Sequence, residues 1–324
     1  MVSNVTALAG ANIAFIKYWG NRPGADNLPL NPSISMTLFA CVTTTAVALL
    51  DESASGDEIR LDGAPPGEKS AGRIGVFLDR VRWIAGRKER VRVTSQNNFP
   101  TGCGIASSAS GFAALAVAAS AAYGIEAGAA ELSRIARLGS GSAARSVPGG
   151  FVELHPGSAH EESFAESIAP ETHWPELCDL VALVSREKKQ VSSAEGHRIA
   201  HTSEAFAGRL AAIPDRARRV REGILRRDLA LLGEAAEEDA LSMHAVMLTS
   251  KPPLIYWTAG TLEVIRAVHG LRKRGVEAYF TIDAGPNVHV LTLKRDAARV
   301  ADEMVREVGC EVLADRAGPG ARIV

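Results

Sequence analysis

A stretch rich in glycine and serine, residues 98–111, lies between a predicted strand at residues 91–95 and a long predicted helix that ends near Tyr123. The backbone N–H groups at a helix N-terminus attract anions, and the helix dipole adds to the attraction. Glycines let the backbone approach a ligand closely, and Ser107 and Ser108 add hydroxyl groups. No Gly-Lys-Ser/Thr follows, so this is not a Walker loop. The stretch predicts a phosphate-binding loop, with a plain tight turn before a core helix as the alternative.

Lys17 interrupts a largely apolar segment and is flanked by Ile16 and Tyr18. These neighbours favour partial burial, and a buried lysine requires an anion from the protein or from a substrate. The alternative is a lysine whose ammonium group reaches solvent from a half-exposed strand. The residue alone does not decide between the two.

The glycine-rich segment at residues 139–150 contains three serines and Arg145. The fork of an arginine side chain can bind a carboxylate or a phosphate through two parallel hydrogen bonds. The alternative is a capped helix start that carries a surface arginine.

Asp283 follows a predicted strand at residues 278–282 and precedes a Gly-Pro turn. A carboxylate at the end of an apolar strand is well placed for acid–base or metal chemistry. Taken in isolation, the residue rather favours an Asx turn, in which the carboxylate bonds only to its own backbone.

His197 and His201 stand four residues apart, as they do in a zinc-binding helix. No HExxH motif occurs, and Glu195 has the wrong spacing for one. A zinc site is therefore the weaker interpretation of these histidines.

The chain has 324 residues, a length that predicts two domains. Predicted strands and helices mix in both halves, which favours an α/β or α+β class. An acidic, irregular stretch at residues 160–175 precedes a strongly apolar strand at residues 179–185. We place the domain change there, with one domain at residues 1–178 and the other at residues 179–324.

Charge and cysteine spacing exclude several classes of protein. The formal net charge is −1 and the basic residues are spread along the chain, so a nucleic-acid-binding surface is not expected. The small apolar run at residues 104–124 is too polar for a membrane span and favours a buried helix instead. No signal peptide is evident. No two of the four cysteines are close in sequence, which fits a reducing, cytoplasmic location.

Six runs of residues together resemble the mevalonate diphosphate decarboxylase family of the GHMP kinase superfamily. They occur in the family's order and spread over most of the chain: ANIAFIKYWG, LPLNPSISMTL, NNFPTGCGIASSASGFAAL, GSGSAARSVPGGF, KKQVSSAEGH and YFTIDAGPN. The resemblance implies an α+β GHMP kinase fold. It would comprise an N-terminal α/β domain, ribosomal protein S5 domain 2-like, that binds ATP, and a C-terminal ferredoxin-like α/β sandwich. It also implies a homodimer, with ATP and Mg²⁺ as cofactors and a small phosphorylated acid as substrate.

The resemblance implies a role for each matching residue. Asp283 would orient or deprotonate the 3-hydroxyl of the substrate, Arg145 would hold its carboxylate, and Lys17 would neutralise charge near the γ-phosphate. Substrate contacts are expected from Asn12, Tyr18, Asn21, Ser140, Ser142 and Ser193. ATP contacts are expected from Asn98, Pro100, Gly102, Gly104, Ile105, Ala106, Ser107 and Ser108, of which Ser107 and Ser108 would also face Mg²⁺.

Two departures from the family pattern bear on the substrate. A lysine is usual where this chain has Asn21, and a Thr or Arg followed by Gly-Met is common where it has Ala194, Glu195 and Gly196. Fewer positive charges suit a smaller anion. The sequence therefore favours mevalonate 5-phosphate as substrate and isopentenyl phosphate as product, with mevalonate 5-diphosphate decarboxylation as the alternative.

Two other functions stay open at this point. A mevalonate-type kinase would phosphorylate a hydroxyl group and stop. A non-catalytic protein of the same fold would bind ATP or a metabolite without turnover. The presence of Lys17, Arg145 and Asp283 together favours decarboxylation over both.

Overall fold

The chain forms two sheets, one built mainly from each half. A computed structural model describes residues 4–24, 27–101, 104–187 and 191–324. The elements of the first half are β1 (Asn4–Ile16), β2 (Ser33–Leu49), β3 (Glu58–Leu61), α1 (Glu68–Ala85), β4 (Val91–Asn97), α2 (Ser107–Ala122), α3 (Ala129–Gly139), β5 (Phe151–Leu154) and β6 (Ala165–Ala169). A 3-10 turn, Gly141–Ser146, joins α3 to β5.

The second half supplies the other sheet and most of the long helices. Its elements are β7 (Leu177–Leu183), α4 (Ser193–Ile199), α5 (Phe206–Arg226), α6 (Leu229–Thr249), α7 (Ala259–Lys273), β8 (Ala278–Thr281), β9 (Val288–Leu293), α8 (Lys294–Glu303), β10 (Glu311–Arg316) and β11 (Arg322–Ile323). The expected α+β class is confirmed.

The first sheet has seven strands and is organised around the long strand β2. Its order is β11-β1-β2-β4-β3, and β5 and β6 extend it from the other end of β2. Residues 43–49 of β2 pair with β4, whereas residues 33–36 pair with β5. The strand β2 therefore changes its partner near residue 40, and β11 returns from the far end of the chain to pair with β1.

The second sheet is antiparallel, has the order β10-β7-β9-β8, and is covered on one face by α7 and α8. Alternate residues of its strands point to opposite faces. The opposite face contributes Val181 and Leu291 to a core that also contains Ile34 and Met36 of β2. Because the two sheets share this core, the position of one relative to the other is fixed by apolar packing.

The helix α2 is buried on almost every side, between β1 and β2 on one side and α1 and α3 on the other. A helix that is apolar all round belongs in the interior. The expectation of a buried helix is confirmed. Among the described residues, no helix combines the length and apolar character that crossing a membrane requires.

The sequence predicts helices at residues 203–213 and 217–236, and the boundaries of both are wrong. A proline usually interrupts a helix, yet α5 continues through Pro214 to Arg226. It packs along α6, and Gly223 lets the two helices approach closely at Leu232. The true break follows, where Arg227 has a φ of 57° and Asp228 caps α6 by accepting a hydrogen bond from the Leu231 N–H. Tertiary packing thus outweighs the local signal of the proline.

Asp315 ties the two sheets together at the point where β2 changes its partner. Its Oδ1 accepts hydrogen bonds from the backbone N–H groups of Phe39 and Ala40, at 2.8 and 2.9 Å. Its Oδ2 accepts a third from the Cys41 N–H at 3.0 Å. A single carboxylate of β10 therefore satisfies the irregular part of β2.

We predict that Asp315→Ala lowers the free energy of unfolding by about 3 kcal/mol, because three backbone N–H groups lose their acceptor. Urea unfolding followed by circular dichroism measures the change. The matched control is Asp302→Ala at an exposed position of α8, which should change stability by less than about 0.5 kcal/mol. Equal losses in the two variants would contradict the assigned role of Asp315.

Candidate active site

A cavity lies where the two sheets meet, and short segments from both halves build its wall. These segments are the end of β1, the loop before α2, the 3-10 turn, the start of α4 and the turn after β8. The structure brings eleven of the predicted site residues to this wall: Lys17, Tyr18, Gly104, Ala106, Ser107, Ser108, Ser140, Ser142, Arg145, Ser193 and Asp283.

Lys17 directly follows β1, and its side chain is only 1% exposed. Its ammonium group donates hydrogen bonds to the Ala14 carbonyl oxygen at 2.7 Å and to Asp283 Oδ1 at 2.6 Å. Burial lowers the pKa of Lys17, and the negative charge of Asp283 opposes that change without cancelling it. Of the two alternatives that the sequence left open, the structure shows the buried lysine, and Lys17 lines a cavity that can admit a further anion.

Asp283 lies in the turn after β8, where the Gly285 N–H closes the turn on the Asp283 carbonyl oxygen at 2.8 Å. Its side chain keeps 22% of its surface exposed to the cavity. Burial by itself would raise the pKa of this carboxyl, but Lys17, with a smaller contribution from His289, holds the pKa below its ordinary value. Asp283 is therefore ionised at neutral pH, paired with Lys17, and a weak acceptor of protons.

Arg145 is buried at the end of the 3-10 turn, with 2% of its surface exposed. One guanidinium nitrogen donates to Ser33 Oγ at 2.6 Å and another donates to Asn12 Oδ1 at 3.1 Å. The third nitrogen, Nε, has no partner among the described residues. Burial lowers the pKa of Arg145 to about 10, since hydroxyl and amide oxygens compensate a buried charge poorly. An anion in the cavity would complete this environment.

Asn12 lies behind Arg145 and not on the cavity wall. Its amide nitrogen donates to the Ser142 carbonyl oxygen at 3.1 Å and to Ser146 Oγ at 2.8 Å, while its oxygen accepts from Arg145. The side chain thus fixes the 3-10 turn and the arginine it carries. Direct contact between Asn12 and a ligand, which we expected from the sequence, stays a prediction.

Tyr18 packs its ring so closely on Gly141 that a Cβ atom there would lie 2.3 Å from the ring. Its hydroxyl donates a short hydrogen bond to Asn21 Oδ1. Asn21 itself lies outside the cavity, on an adjoining depression between α1 and α4, which we call the α1–α4 hollow. Tyr18 therefore separates the cavity from the position where the family pattern has a lysine.

The glycine-rich loop reaches the turn that carries Asp283. Gly104 has a φ of +100°, and a Cβ atom at this position would lie 3.0 Å from Gly285 Cα. Among the described residues, no side chain is hydrogen-bonded as a cap at the start of α2, and its first two residues, Ser107 and Ser108, line the cavity. An uncapped helix N-terminus at a cavity is a site for an anion. The geometry supports the phosphate-binding interpretation over a plain turn.

The other predicted site residues of the loop that the structure describes lie apart from the cavity wall. Ile105 is 2% exposed and packs in the core shared by the two sheets. The Asn98 side chain accepts from the Val42 N–H and donates to the Ala40 carbonyl oxygen, so it anchors the loop to β2. Pro100 is likewise outside the wall, and Gly102 lies outside the described residues.

Arg73 is a wall residue that the sequence did not single out. It projects from α1, donates from Nε and from a terminal nitrogen to the Gly139 carbonyl oxygen at 3.0 and 2.7 Å, and stacks 4.7 Å from the Phe112 ring centre. It borders the cavity, the α1–α4 hollow and a second depression beside β4 and α2, the β4–α2 hollow. Nothing in the local pattern distinguishes it from the other arginines of α1.

His197 also lies on the wall, with its ring centre 4.2 Å from that of Tyr18. Its Nδ1 accepts a hydrogen bond from the Gly20 N–H at 3.0 Å, which places the ring proton on Nε2. Among the described residues, no group of three potential His, Cys, Asp or Glu ligands is placed to hold a metal ion. The zinc interpretation of His197 and His201 gains no support.

Comparison with protein families identifies both halves of the chain. Residues 9–165 match the family described as diphosphomevalonate decarboxylase-like N-terminal domain. Residues 179–315 match the mevalonate 5-diphosphate decarboxylase C-terminal domain. Together these two matches span most of the chain.

Individual relatives and solved structures agree with these family matches. The diphosphomevalonate decarboxylase mvd1 of Aspergillus fumigatus is 39% identical over 93% of this chain and 79% of its own length. The human diphosphomevalonate decarboxylase is 37% identical over 89% and 76%. A structure described as MDDEF in complex with MVAPP, AMPPCP and magnesium has a TM-score of 0.94 and 39% identity, and covers 100% of this chain and 99% of its own. The Staphylococcus aureus mevalonate diphosphate decarboxylase has a TM-score of 0.93 and 34% identity, over 100% and 98%.

We predict that Asp283→Asn lowers the pKa of Lys17 further, because the carboxylate that opposes the effect of burial is removed. Titration of the Lys17 Cε resonance by NMR, assigned with Lys17→Arg, measures the pKa without any ligand. The variant Asp302→Asn, at an exposed position, is the control and should leave the titration unchanged. An unaltered Lys17 titration in Asp283→Asn would show that the ion pair does not govern this group.

Proposed function

Since the chain belongs to the diphosphomevalonate decarboxylase family, we propose that it converts mevalonate 5-diphosphate and ATP to isopentenyl diphosphate, CO₂, phosphate and ADP. The family makes the chain an ATP-dependent decarboxylase that uses Mg²⁺; the identity of the acid substrate is the proposed part. The observation that carries the proposal is the meeting of Lys17, Arg145 and Asp283 in one cavity, beside the uncapped N-terminus of α2.

The sequence favoured mevalonate 5-phosphate, and the comparisons do not support that choice. The relatives from A. fumigatus and human are named for the diphosphate. Asn21 carries no positive charge, but cationic side chains lie near it. The α1–α4 hollow, which Asn21 borders, is lined by one carboxylate, Glu195, and by five cationic side chains: Arg22, Lys69, Arg73, Arg80 and Arg198. A second phosphate group would therefore enter positive surroundings.

The proposed reaction has two stages. The 3-hydroxyl oxygen attacks the γ-phosphorus of ATP, the bond from that phosphorus to the β,γ-bridging oxygen breaks to release ADP, and the hydroxyl proton passes to Asp283. This step turns a poor leaving group, hydroxide, into a good one, phosphate. The C3–O bond then breaks with loss of phosphate, and the electrons of the bond to the carboxylate form the alkene as CO₂ departs. Positive charge develops at C3 during this second stage, while the carboxylate loses its negative charge.

Asp283 and Lys17 are proposed to act on the first stage. With its lowered pKa, Asp283 is a weak base for a tertiary alcohol, so orienting the hydroxyl contributes as much as removing its proton. The Lys17 ammonium group, already hydrogen-bonded to Asp283, is proposed to stabilise charge between the 3-oxygen and the transferred phosphoryl group.

Arg145 lines the cavity and is proposed to hold the substrate carboxylate there. Its two terminal nitrogens are also hydrogen-bonded to Ser33 and Asn12, and its Nε is buried away from the cavity surface. An arginine that gripped the carboxylate with every donor would oppose decarboxylation, since that charge disappears in the transition state. Divided bonding of this kind fits a residue that must orient the group and then release it.

The loop before α2 is proposed to bind ATP, with the phosphates at the helix N-terminus and the base in the β4–α2 hollow. Apolar and polar residues line that hollow, including Pro65, Pro66, Ser95 and Asn97. The hollow meets the cavity at Ser107 and Ser108. Hydroxyl and phosphate oxygens are hard ligands of the type Mg²⁺ prefers, so Ser107 and Ser108 fit the ion. When bound, Mg²⁺ shields the charge of the phosphate oxygens.

Three further expectations remain proposals. The domain division at residues 178 and 179 and the cytoplasmic location are two of them. The third is a homodimer, supported by apolar side chains exposed on α6, α7 and the segment between them: Leu241, Leu248, Ile255 and Leu262.

The homodimer predicts that sedimentation equilibrium gives twice the mass of a single chain. The mass of one chain at micromolar concentration would refute the dimer.

The deciding experiment compares mevalonate 5-diphosphate with mevalonate 5-phosphate, using purified protein, ATP and Mg²⁺, with ADP and trapped CO₂ both measured. We expect kcat/KM for the diphosphate to be higher by tenfold or more, about 1.4 kcal/mol, and one CO₂ for each ADP. A tenfold preference for the monophosphate would overturn the proposed substrate. ADP without CO₂ would identify a kinase, and ATP binding without either product a non-catalytic protein.

The matched variant for that experiment is Asp283→Ala. It should lower turnover of the preferred substrate by about 10³-fold or more, since orientation and charge are lost together. ATP affinity should stay within about threefold, because the loop before α2 is untouched. Activity that survives the substitution would refute the proposed role of Asp283.

A further inference from the structure

Two helices of the second half hold the backbone of Lys17. The Lys17 N–H donates to Asp239 Oδ2 of α6 at 2.7 Å. The Lys17 carbonyl oxygen accepts from Arg209 of α5 at 3.0 Å, and from the Asn31 side chain, also at 3.0 Å. Both peptide groups that flank the Lys17 Cα are therefore fixed by side chains from elsewhere in the chain.

Asp239 and Arg209 also bind each other. The two terminal nitrogens of Arg209 donate to the two carboxylate oxygens of Asp239, at 2.9 and 3.1 Å. The side chains are 0% and 1% exposed. A buried ion pair is expensive to desolvate, and an apolar pair of similar volume often gives equal or greater stability. Fold stability alone therefore gives little reason to place this pair here. We call the two side chains the Asp239–Arg209 clamp.

The clamp acts on the residue whose side chain must be placed most accurately. The Lys17 ammonium group has to reach Asp283, and its position depends on where the Lys17 backbone starts. The negative charge of Asp239 also favours the protonated form of Lys17. Other charged or titratable groups that interact with Lys17 come from the surrounding elements: Asp283, Arg145, His244 and Asp179. Asp239 accepts a hydrogen bond from the Lys17 backbone, and Asp283 accepts one from the Lys17 side chain.

We propose that Asp239, held by Arg209, is a positioning residue that sets the orientation of Lys17 and keeps its ammonium group charged for the reaction. The proposal rests on the proposed function, since it assigns Lys17 a part in that reaction. Asp239 does not line the cavity and acts only through Lys17.

The main test is Asp239→Asn, which keeps the shape of the side chain and removes its charge. We expect kcat to fall about tenfold or more, with KM for ATP within about twofold. The alkaline limb of kcat/KM should move to lower pH by about half a unit or more, because Lys17 loses a charge that raises its pKa and so deprotonates earlier. A loss of kcat without movement of the alkaline limb would overturn the proposal.

The matched control is Glu153→Gln. Glu153 of β5 is 6% exposed on its side chain and pairs through two oxygens with Arg221 of α5, so it also joins the first sheet to α5. It does not contact Lys17. We expect a comparable decrease in the thermal midpoint, with kcat and the pH profile unchanged. If Glu153→Gln moved the pH profile as Asp239→Asn does, the effect would be general destabilisation and the proposal would be wrong.

A double variant covers the case in which Asp239→Asn fails to fold. Asp239→Leu combined with Arg209→Met replaces the buried ion pair by apolar groups and should fold, as such exchanges often do. Its turnover should stay at least about tenfold below that of the unmodified protein, since the Lys17 N–H then loses its acceptor and the Lys17 carbonyl oxygen keeps only the bond from Asn31. Turnover at the unmodified rate would overturn the proposal.

Failure of the proposed function gives a different result. If the unmodified protein decarboxylates neither substrate, that function is wrong, yet the clamp can still be measured. NMR titration of the Lys17 Cε resonance in the absence of ligand should show a lower pKa in Asp239→Asn than in the unmodified protein. Identical titrations would refute the effect of Asp239 on Lys17, whatever the substrate proves to be.

Discussion

The ion pair between Lys17 and Asp283 is the contact on which the site depends, because each partner comes from a different sheet. Lys17 follows β1 of the first sheet, and Asp283 follows β8 of the second. Neither charge could be buried alone without a large desolvation cost. The shared apolar core, the hydrogen bonds of Asp315 and the Asp239–Arg209 clamp all hold the sheets in the relation that lets the two charges meet. The site is thus a property of the interface between sheets.

Two charged residues of the cavity, Lys17 and Arg145, share one electrostatic condition. Burial lowers the pKa of Lys17 and Arg145, which means that the protein alone does not fully compensate their charges. Anionic ligands would supply what is lacking, and the low-dielectric surroundings would make that attraction strong. Asp283 differs, since its charge is already compensated by Lys17. Such a site favours chemistry in which charge is stabilised and groups are oriented, and in which no strong base is required.

The sequence predicted Lys17, Arg145 and Asp283 of the cavity wall better than the residues that support them. Lys17, Arg145 and Asp283 stand in long runs with polar residues at unusual positions, so both their types and their neighbours are informative. Arg73 and Asp239 belong to ordinary helices, where an arginine or an aspartate is typical of a solvated face. Their importance arises from contacts with residues far away in sequence, which no local pattern records. Asn12 illustrates the intermediate case, since its segment was recognised but its position behind Arg145 depends on packing.

The fold, like the site, was predictable from the sequence only in part. Most strands and helices were predicted from the sequence, while the α5–α6 hairpin was misjudged because Pro214 is tolerated by tertiary packing.

The position of β11 had no signal in the sequence, yet it has a consequence for biosynthesis. Its two residues complete the outer edge of β1, and the Val324 N–H donates to the Thr6 carbonyl oxygen. Because β1 ends at Ile16 and β11 begins at Arg322, this part of the β1 edge stays unpaired during translation until β11 has been made. An unpaired edge invites association with other chains, so the order of synthesis leaves the edge open while the residues between β1 and β11 are added.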